Sequence, residues 1–327
     1  MKITDENELG YYGEMFTRLY VDVANQDPNV GEVEFVGYPL ELEDYIKTVY
    51  PTETVIFKDV TKVEKTFKVE DNKKVLMGFS GGKDSTAVVL KLKKLGYEPV
   101  LFFAKGVNRA YPNEIDSALK LAELLGCEII VHEAKYSGKM FYGENPIKNQ
   151  YILALMLDYG IKIGISKYCM GDCGADSLKE ANRHFNWSDS QEMFKEFEKF
   201  VKVGFPQYEK LNLIQGERDS YEEIIAEGMQ HLFPSILSCV LPFRYRRMRK
   251  EGNEKKFGIK LMENRCGSCV KCCLDYVYFY HHEVETYNEK FYDHCINKLR
   301  EKTLEVYGFK GNKLSDEELF KLYGIID

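Results

Sequence analysis

The sequence predicts an α/β protein built on a doubly wound parallel sheet. Three observations carry this. Short apolar runs recur from Lys74 onward, each is followed by a helical stripe, and a double glycine sits at the first strand-to-helix turn. Strands alternating with helices at this spacing form parallel βαβ units with right-handed crossovers.

Residues 1–73 precede that pattern and read as an N-terminal extension of unknown role. Alternating runs at Val33 to Val36 and Thr54 to Phe57 suggest short strands. The simplest reading is a cap on the sheet. Residues 74–235 form the expected α/β domain. Val75 to Phe79 is apolar throughout, as a strand buried on both faces should be. Val88, Val89, Leu92 and Leu95 fall on one helical stripe, and Gly96 supplies a stop. Val100 to Phe103 is the second strand. Ile115, Ala118, Leu119, Ala122 and Leu125 make the next stripe, ended by Gly126. Glu128 to His132 is a third strand, Asn149 to Tyr159 a helix ending near Gly160, and Tyr168 to Gly171 a fourth strand. A helix with capping-box spacing begins at Ser188 and carries Met193, Phe194, Phe197, Phe200 and Val201. Another opens at Asp219 with Glu222 and carries Ile224, Ile225 and Met229. Residues 236–327 change character. Arg244 to Lys250 is the only basic cluster, read by default as a solvated loop; a cysteine cluster and a tyrosine-rich helical stretch follow.

Bulk composition narrows the function classes. Hydrophobic residues make up 44% of 327, ample for a core, and a net charge of −7 gives no global field for nucleic acid. No apolar run approaches the ~20 residues of a membrane span. The first residues lack the apolar core of a signal peptide, so a cytoplasmic location is expected. Nine cysteines in such a chain point to metal or chemistry before disulfides.

The turn after the first apolar run is Ser80-Gly81-Gly82-Lys83-Asp84-Ser85-Thr86. Two glycines let the backbone approach an anion closely, and the helix that follows offers amides and partial positive charge. Ser80, Ser85 and Thr86 add hydroxyl donors and Lys83 adds charge. Asp84 cannot hold a phosphate directly; it suits Mg2+ or a helix cap. The spacing is not that of the Walker loop. A plain glycine-rich turn is the bland alternative, and six matched positions between strand and helix outweigh it.

Cys266-Gly267-Ser268-Cys269-Val270-Lys271-Cys272 places three thiols at three-residue intervals, and Cys239 lies 27 residues upstream of the first. Four thiolates can close a tetrahedral structural Zn2+ site. An iron–sulfur cluster would use the same ligands, and Cys273 is a neighbour that could replace Cys272. Cys127, Cys169, Cys173 and Cys295 show no ligand spacing and read as small apolar side chains.

Ser80 to Ser85 resembles the PP-loop of the ATP pyrophosphatases, SGGxDS. Together with one isolated cysteine and CGxCxxC, the stretch from Lys74 to Cys273 is similar to the 7-cyano-7-deazaguanine synthase family. The resemblance implies an adenine nucleotide alpha hydrolase-like fold, with ATP bound by residues 80–86 and Lys83, Asp84 and Ser85 as the catalytic set. It implies Mg2+ on Asp84 and structural Zn2+ on Cys239, Cys266, Cys269 and Cys272. By the same likeness Arg109, Lys148, Asn149, Asp176 and Asp189 would recognise a deazapurine carboxylate. The implied reaction is ATP-dependent, AMP-forming activation of that carboxylate for attack by ammonia or another amine.

Lys148 and Gln191 stand where the family has arginines. Insertions near residues 177–186 and 240–265, with extra segments at both ends, leave the acceptor open. Three outcomes are compatible: release of an amide or nitrile, attachment of a deazaguanine to a protein or nucleic acid as in anti-phage defence, or a nucleotide-binding regulatory module without catalysis. A homodimer is compatible with each.

Overall fold

The structure is a computed structural model and describes residues 2–4, 10–25, 31–65, 73–107, 114–134, 147–171, 191–213, 219–237, 239, 241, 243–262, 264–284, 287–307 and 314–322. In chain order the elements are β1 (Lys2–Thr4), α1 (Tyr11–Asn25), β2 (Glu32–Val36), α2 (Glu43–Val49), β3 (Thr54–Lys58), β4 (Lys74–Gly78), α3 (Lys83–Lys94), β5 (Glu98–Lys105), α4 (Glu114–Leu124) and β6 (Ile129–Glu133). There follow α5 (Lys148–Ile163), β7 (Lys167–Met170), α6 (Gln191–Gly204), β8 (Glu209–Leu211), α7 (Asp219–Ala226), α8 (Phe243–Phe257), α9 (Val270–His281), α10 (Glu289–Tyr307) and α11 (Asp316–Leu322). No helix among the described residues is long and apolar enough to cross a membrane.

Six strands pair in the order β1-β6-β5-β4-β7-β8, all parallel. Both faces of this sheet are covered, and the strand pleat shows it. Val75, Met77, Leu101, Phe103, Ile129, Val131 and Cys169 point into one core with α3, α4, α7, α9 and α10. Leu76, Val100, Phe102, Ile130, Tyr168 and Met170 point into the other, with α1, α2, α5 and α6. Successive side chains of a strand face opposite ways, so an unbroken apolar run is what a two-sided burial requires.

Several elements go beyond the sequence reading. The N-terminal segment contains α1, which buries Tyr12, Phe16, Leu19, Tyr20 and Val23 and packs along α5. β1 adds a parallel edge strand next to β6. β2 and β3 pair in parallel as a second, two-stranded sheet bridged through α2. β8 closes the far edge of the main sheet. Helix α5 does not stop at Gly160; it runs to Ile163 and ends on Gly164 in a left-handed cap. Gly160 is there because a Cβ would collide with the Tyr168 ring of β7. Helix α7 ends at Ala226, before Met229. The basic run expected as a loop is the first half of helix α8.

Candidate functional site

Chain order along the sheet reverses at β4. From β4 the chain adds β5 and then β6 on one side, and returns to place β7 on the other. Ligands of such sheets bind outside the carboxyl ends of the strands at this reversal. The residues there are the loop after β4 and Gly171 after β7. A Cβ on Gly171 would lie 2.8 Å from the Ser85 Cα, so the two segments touch.

Phe79 continues the ladder through its N–H to the Phe102 carbonyl, 2.9 Å. The chain then turns at Gly81 with φ +76°, and a Cβ there would lie 2.9 Å from the Ala118 backbone nitrogen on α4. Gly82 is the N-cap of α3 and supplies no side-chain cap. The amides of the helix's first turn carry its partial positive charge, with the Asp84 carboxylate in that turn and the Gly82 N–H donating to Ser80 Oγ at 3.3 Å. Ser80 is exposed, and its Oγ lies 3.2 Å from the Ser85 Oγ. The Ser85 and Thr86 hydroxyls both donate back to the Gly82 carbonyl, at 3.1 and 2.8 Å. Of the three hydroxyls, Ser80 is thus the one turned to solvent, while Thr86 is fully buried.

Asp84 sits in the first turn of α3. Its Oδ1 accepts from Lys83 Nζ at 2.7 Å and from Ser220 Oγ at 2.5 Å. Its Oδ2 accepts no hydrogen bond among the described residues. One free carboxylate oxygen beside a glycine turn at a helix N-terminus is a donor set that fits Mg2+, a hard cation that takes one or two carboxylates plus phosphate oxygens. Lys83 also lies over the Tyr221 ring, 5.6 Å from its centroid. Lys148 and Asn149 are half-buried in the first turn of α5. Arg109, Asp176 and Asp189 lie outside the described residues.

Four sulfurs gather in the first part of the C-terminal region. The Sγ atoms of Cys239, Cys266, Cys269 and Cys272 all lie within 4.8 Å of one another, with Cys239 to Cys269 at 4.0 Å. A tetrahedral Zn2+ with sulfur ligands at about 2.3 Å needs sulfurs about 3.8 Å apart, so this set fits it. Backbone N–H groups point at the sulfurs. Ser268 and Cys269 donate to Cys266 at 3.3 Å each, Cys266 to Cys272 at 3.3 Å and Cys272 to Cys269 at 3.5 Å. Such donors favour thiolate charge. Gly267, φ +65°, makes the turn between Cys266 and Cys269, with Leu261 and Phe291 against its open side. The Cys239 neighbour draws Cys269 below the ordinary thiol range, while burial pushes Cys272 above it. Four sulfurs this close cannot all ionise without a cation among them. Cys273 faces elsewhere, toward Cys295 on α10, so the cluster takes Cys272.

The cysteine loop is fastened to the glycine turn after β4. Leu237, two residues before Cys239, donates its N–H to the Gly81 carbonyl at 3.1 Å. Asn264, two residues before Cys266, donates to Ser117 Oγ at 3.1 Å, beside the Ala118 backbone that flanks Gly81. Arg265 is fully buried and pairs with Asp275 at 2.8 Å; Asp275 also accepts the Tyr221 hydroxyl. Sequence reading missed Ser220 and Tyr221. Their only signal was the capping pair Asp219 and Glu222 around them, which announces a helix start and nothing about Asp84.

Comparison with known proteins adds the following. No family model matches the chain. A 7-cyano-7-deazaguanine synthase of Methanocaldococcus jannaschii is 47% identical over 58 residues, 18% of this chain and 25% of the relative. The 7-cyano-7-deazaguanine synthase 1 of Desulfitobacterium hafniense is 27% identical over 138 residues, 34% of this chain and 60% of the relative. The matches thus span a quarter and 60% of those relatives' lengths. The structure of NMN synthetase from Francisella tularensis overlaps 74% of this chain and 89% of its own, at 12% identity and a TM-score of 0.31. At that score the overlap says nothing of function. The chain is distantly similar to the 7-cyano-7-deazaguanine synthases of the adenine nucleotide alpha hydrolase-like superfamily.

Proposed function

We propose that the protein activates a carboxylate of the 7-carboxy-7-deazaguanine type with ATP and converts it to an amide or nitrile. The observation that carries this is the uncapped glycine turn at the strand reversal, in a chain distantly similar to 7-cyano-7-deazaguanine synthases.

A carboxylate resists amines because its leaving group would be oxide. In the proposed reaction a carboxylate oxygen attacks the α-phosphorus of ATP and pyrophosphate leaves. Ammonia then attacks the carbonyl carbon, AMP leaves, and the excess proton passes to solvent. A second adenylation on the amide oxygen, followed by loss of AMP and the nitrogen protons, gives the nitrile. Backbone amides at Gly81, Gly82 and the first turn of α3 would hold the departing pyrophosphate, with Ser80 and Lys83 beside them. Preorganised donors of this kind stabilise charge as it develops. Asp84 would hold Mg2+, which supplies charge neutralisation when bound. Lys148, Asn149, Arg109, Asp176 and Asp189 would form the acid's recognition set. The four-cysteine site would hold structural Zn2+ and take no part in the chemistry.

A second reading keeps the activation and changes the acceptor to a macromolecule. Helix α8 favours it. Eight basic and two acidic residues lie between Phe243 and Lys260, in a chain of net charge −7. Tyr245 and Met248 stand 58% and 55% exposed among its arginines. The fully buried side chains of α8 among those described, Arg246 and Asn253, are both polar, and Phe257 at its end packs on the core against Phe291, so core burial accounts for only the last turn of this helix. A basic face with exposed Tyr, Met and Arg fits a protein or nucleic-acid contact.

One experiment separates the readings. The protein is incubated with ATP, Mg2+, 7-carboxy-7-deazaguanine and ammonium, and the products are weighed. Pyrophosphate with free amide or nitrile supports the first reading. Pyrophosphate with mass added to a co-expressed macromolecule supports the second. Nucleotide binding with no pyrophosphate under any condition overturns both and leaves a regulatory module.

A further inference from the structure

The geometry points to Ser220 as the positioning residue for the Asp84 carboxylate, held in place by a buried anchor beneath the cysteine loop. This rests on the reading of Asp84 as the Mg2+ ligand and deepens it.

Asp84 belongs to α3 and Ser220 to α7, 136 residues apart in sequence. Helix α7 lies along α3. At the far end the two are tied again, where Lys94 pairs with Glu227 at 2.8 Å and with Glu223 at 3.7 Å. Ser220 is fully buried, and its hydroxyl reaches Oδ1 at 2.5 Å. Lys83 Nζ lands on the same oxygen at 2.7 Å. Two donors on one oxygen fix the carboxylate plane and leave Oδ2 turned away from both. A side chain with 30% of its surface exposed would otherwise sample its broad terminal torsion freely. Holding it in one setting removes an ordering cost from cation binding.

What keeps Ser220 itself in register is the next residue. Tyr221 is 3% exposed and donates its hydroxyl to Asp275 Oδ1. The other Asp275 oxygen pairs with Arg265 Nε at 2.8 Å, and Arg265 also donates to the Phe233 carbonyl at 2.7 Å. Arg265 immediately precedes Cys266. Its fully buried guanidinium is satisfied from three directions, which a buried charge requires. Ser220 thus takes its position from an ion pair at the foot of the cysteine loop, and Asp84 takes its orientation from Ser220.

The competing account is structural: a buried hydroxyl needs any acceptor, and Asp84 is merely the nearest one. The two accounts differ in what the cation feels. Binding of Mn2+ to the full-length protein saturated with α,β-methylene-ATP is measured by electron paramagnetic resonance, alongside the Mg2+ dependence of pyrophosphate release from ATP. Thermal midpoints are recorded for each variant. Ser220→Ala is expected to weaken Mn2+ about tenfold and to raise the Mg2+ requirement in step. Its thermal midpoint should stay within about 3 °C of wild type, since one hydrogen bond is lost from a large cooperative unit. Ser220→Thr, which keeps the hydroxyl, should restore the Mn2+ affinity to within about twofold.

Unchanged Mn2+ affinity in Ser220→Ala, with Asp84→Ala binding Mn2+ more weakly, overturns the positioning role and leaves Asp84 as the ligand. Unchanged affinity in both variants removes the Mg2+ assignment of Asp84 and the positioning role with it. A lowered midpoint in Ser220→Ala without rescue of Mn2+ binding by threonine assigns the hydroxyl to packing and overturns the proposal.

Discussion

Gly81 has no alternative residue, for two independent reasons. Its φ of +76° lies in the left-handed region, and a Cβ would press on the Ala118 backbone nitrogen at 2.9 Å. Backbone of α4 cannot give way as a flexible side chain would. Gly81→Ala should cost about 1–3 kcal/mol of stability and weaken α,β-methylene-ATP binding by more than tenfold. Calorimetric titration checks this, and a variant that binds nucleotide normally would show that the turn does not approach the phosphates. Asp84→Ala should abolish pyrophosphate release while the fold stays intact, with the thermal midpoint lowered by a few degrees because the buried Ser220 hydroxyl loses its acceptor. At this scale the sequence was legible where residues are consecutive. Ser80 to Thr86 form one turn whose parts explain one another. It was illegible where a role depends on a distant partner. Nothing around Ser220 says that a carboxylate 136 positions earlier will meet it.

Helix α1 shows the same limit at the level of elements. Tyr12, Phe16, Leu19, Tyr20 and Val23 recur at helical spacing, but tyrosines and glycines around them masked the stripe. Helix α8 is different, since it has no apolar stripe to read. Its place is held by polar contacts, Asn253 Nδ2 to the Cys266 carbonyl at 2.8 Å and to Ser268 Oγ at 2.7 Å. The strands of the main sheet were readable because burial on both faces forces an unbroken apolar run; the three-residue β1 and β8 are too short to show one.

The start of α1 is held by one carboxylate from α5. Asp158 accepts the N–H groups of Gly10 at 2.7 Å, Tyr12 at 3.0 Å and Gly13 at 2.7 Å. Burial nevertheless pushes its pKa up to about 6 from 3.8, against the pull of those three donors. A carboxyl whose folded pKa is raised binds protons more tightly in the folded state. Its contribution to stability is full below about pH 4 and is lost as pH rises through about 6. Asp158→Asn removes that titration. The gap in urea midpoint between wild type and Asp158→Asn should therefore narrow from pH 4 to pH 7. A gap that widens over this range would mean that the three N–H donors outweigh burial and hold the carboxylate charged.

At the scale of the whole molecule, the two motifs legible in the sequence turn out to be one assembly. Cysteine spacing picked out the four thiols that cluster but not what they are attached to. The cysteine loop reaches the glycine turn by two routes, Leu237 N–H to the Gly81 carbonyl and Asn264 to Ser117 beside Ala118. Each route ends two residues from a clustered cysteine, so the backbone that carries the contact is the backbone a bound metal would fix. A structural Zn2+ contributes its binding energy directly to folding, and here part of that energy would be delivered to the shape of Gly81. Chelation under reducing conditions should then lower the thermal midpoint and also weaken α,β-methylene-ATP binding about tenfold, with Zn2+ restoring both together. Cys269→Ser should reproduce the chelated protein, with lowered metal content and stability, and should not respond to added Zn2+. Iron–sulfur occupancy would show instead as visible absorbance lost on chelation and not restored by Zn2+. If the metal-free protein binds nucleotide as tightly as before, the two contacts follow the nucleotide turn and do not shape it. The cysteine site would then stabilise the C-terminal helices alone.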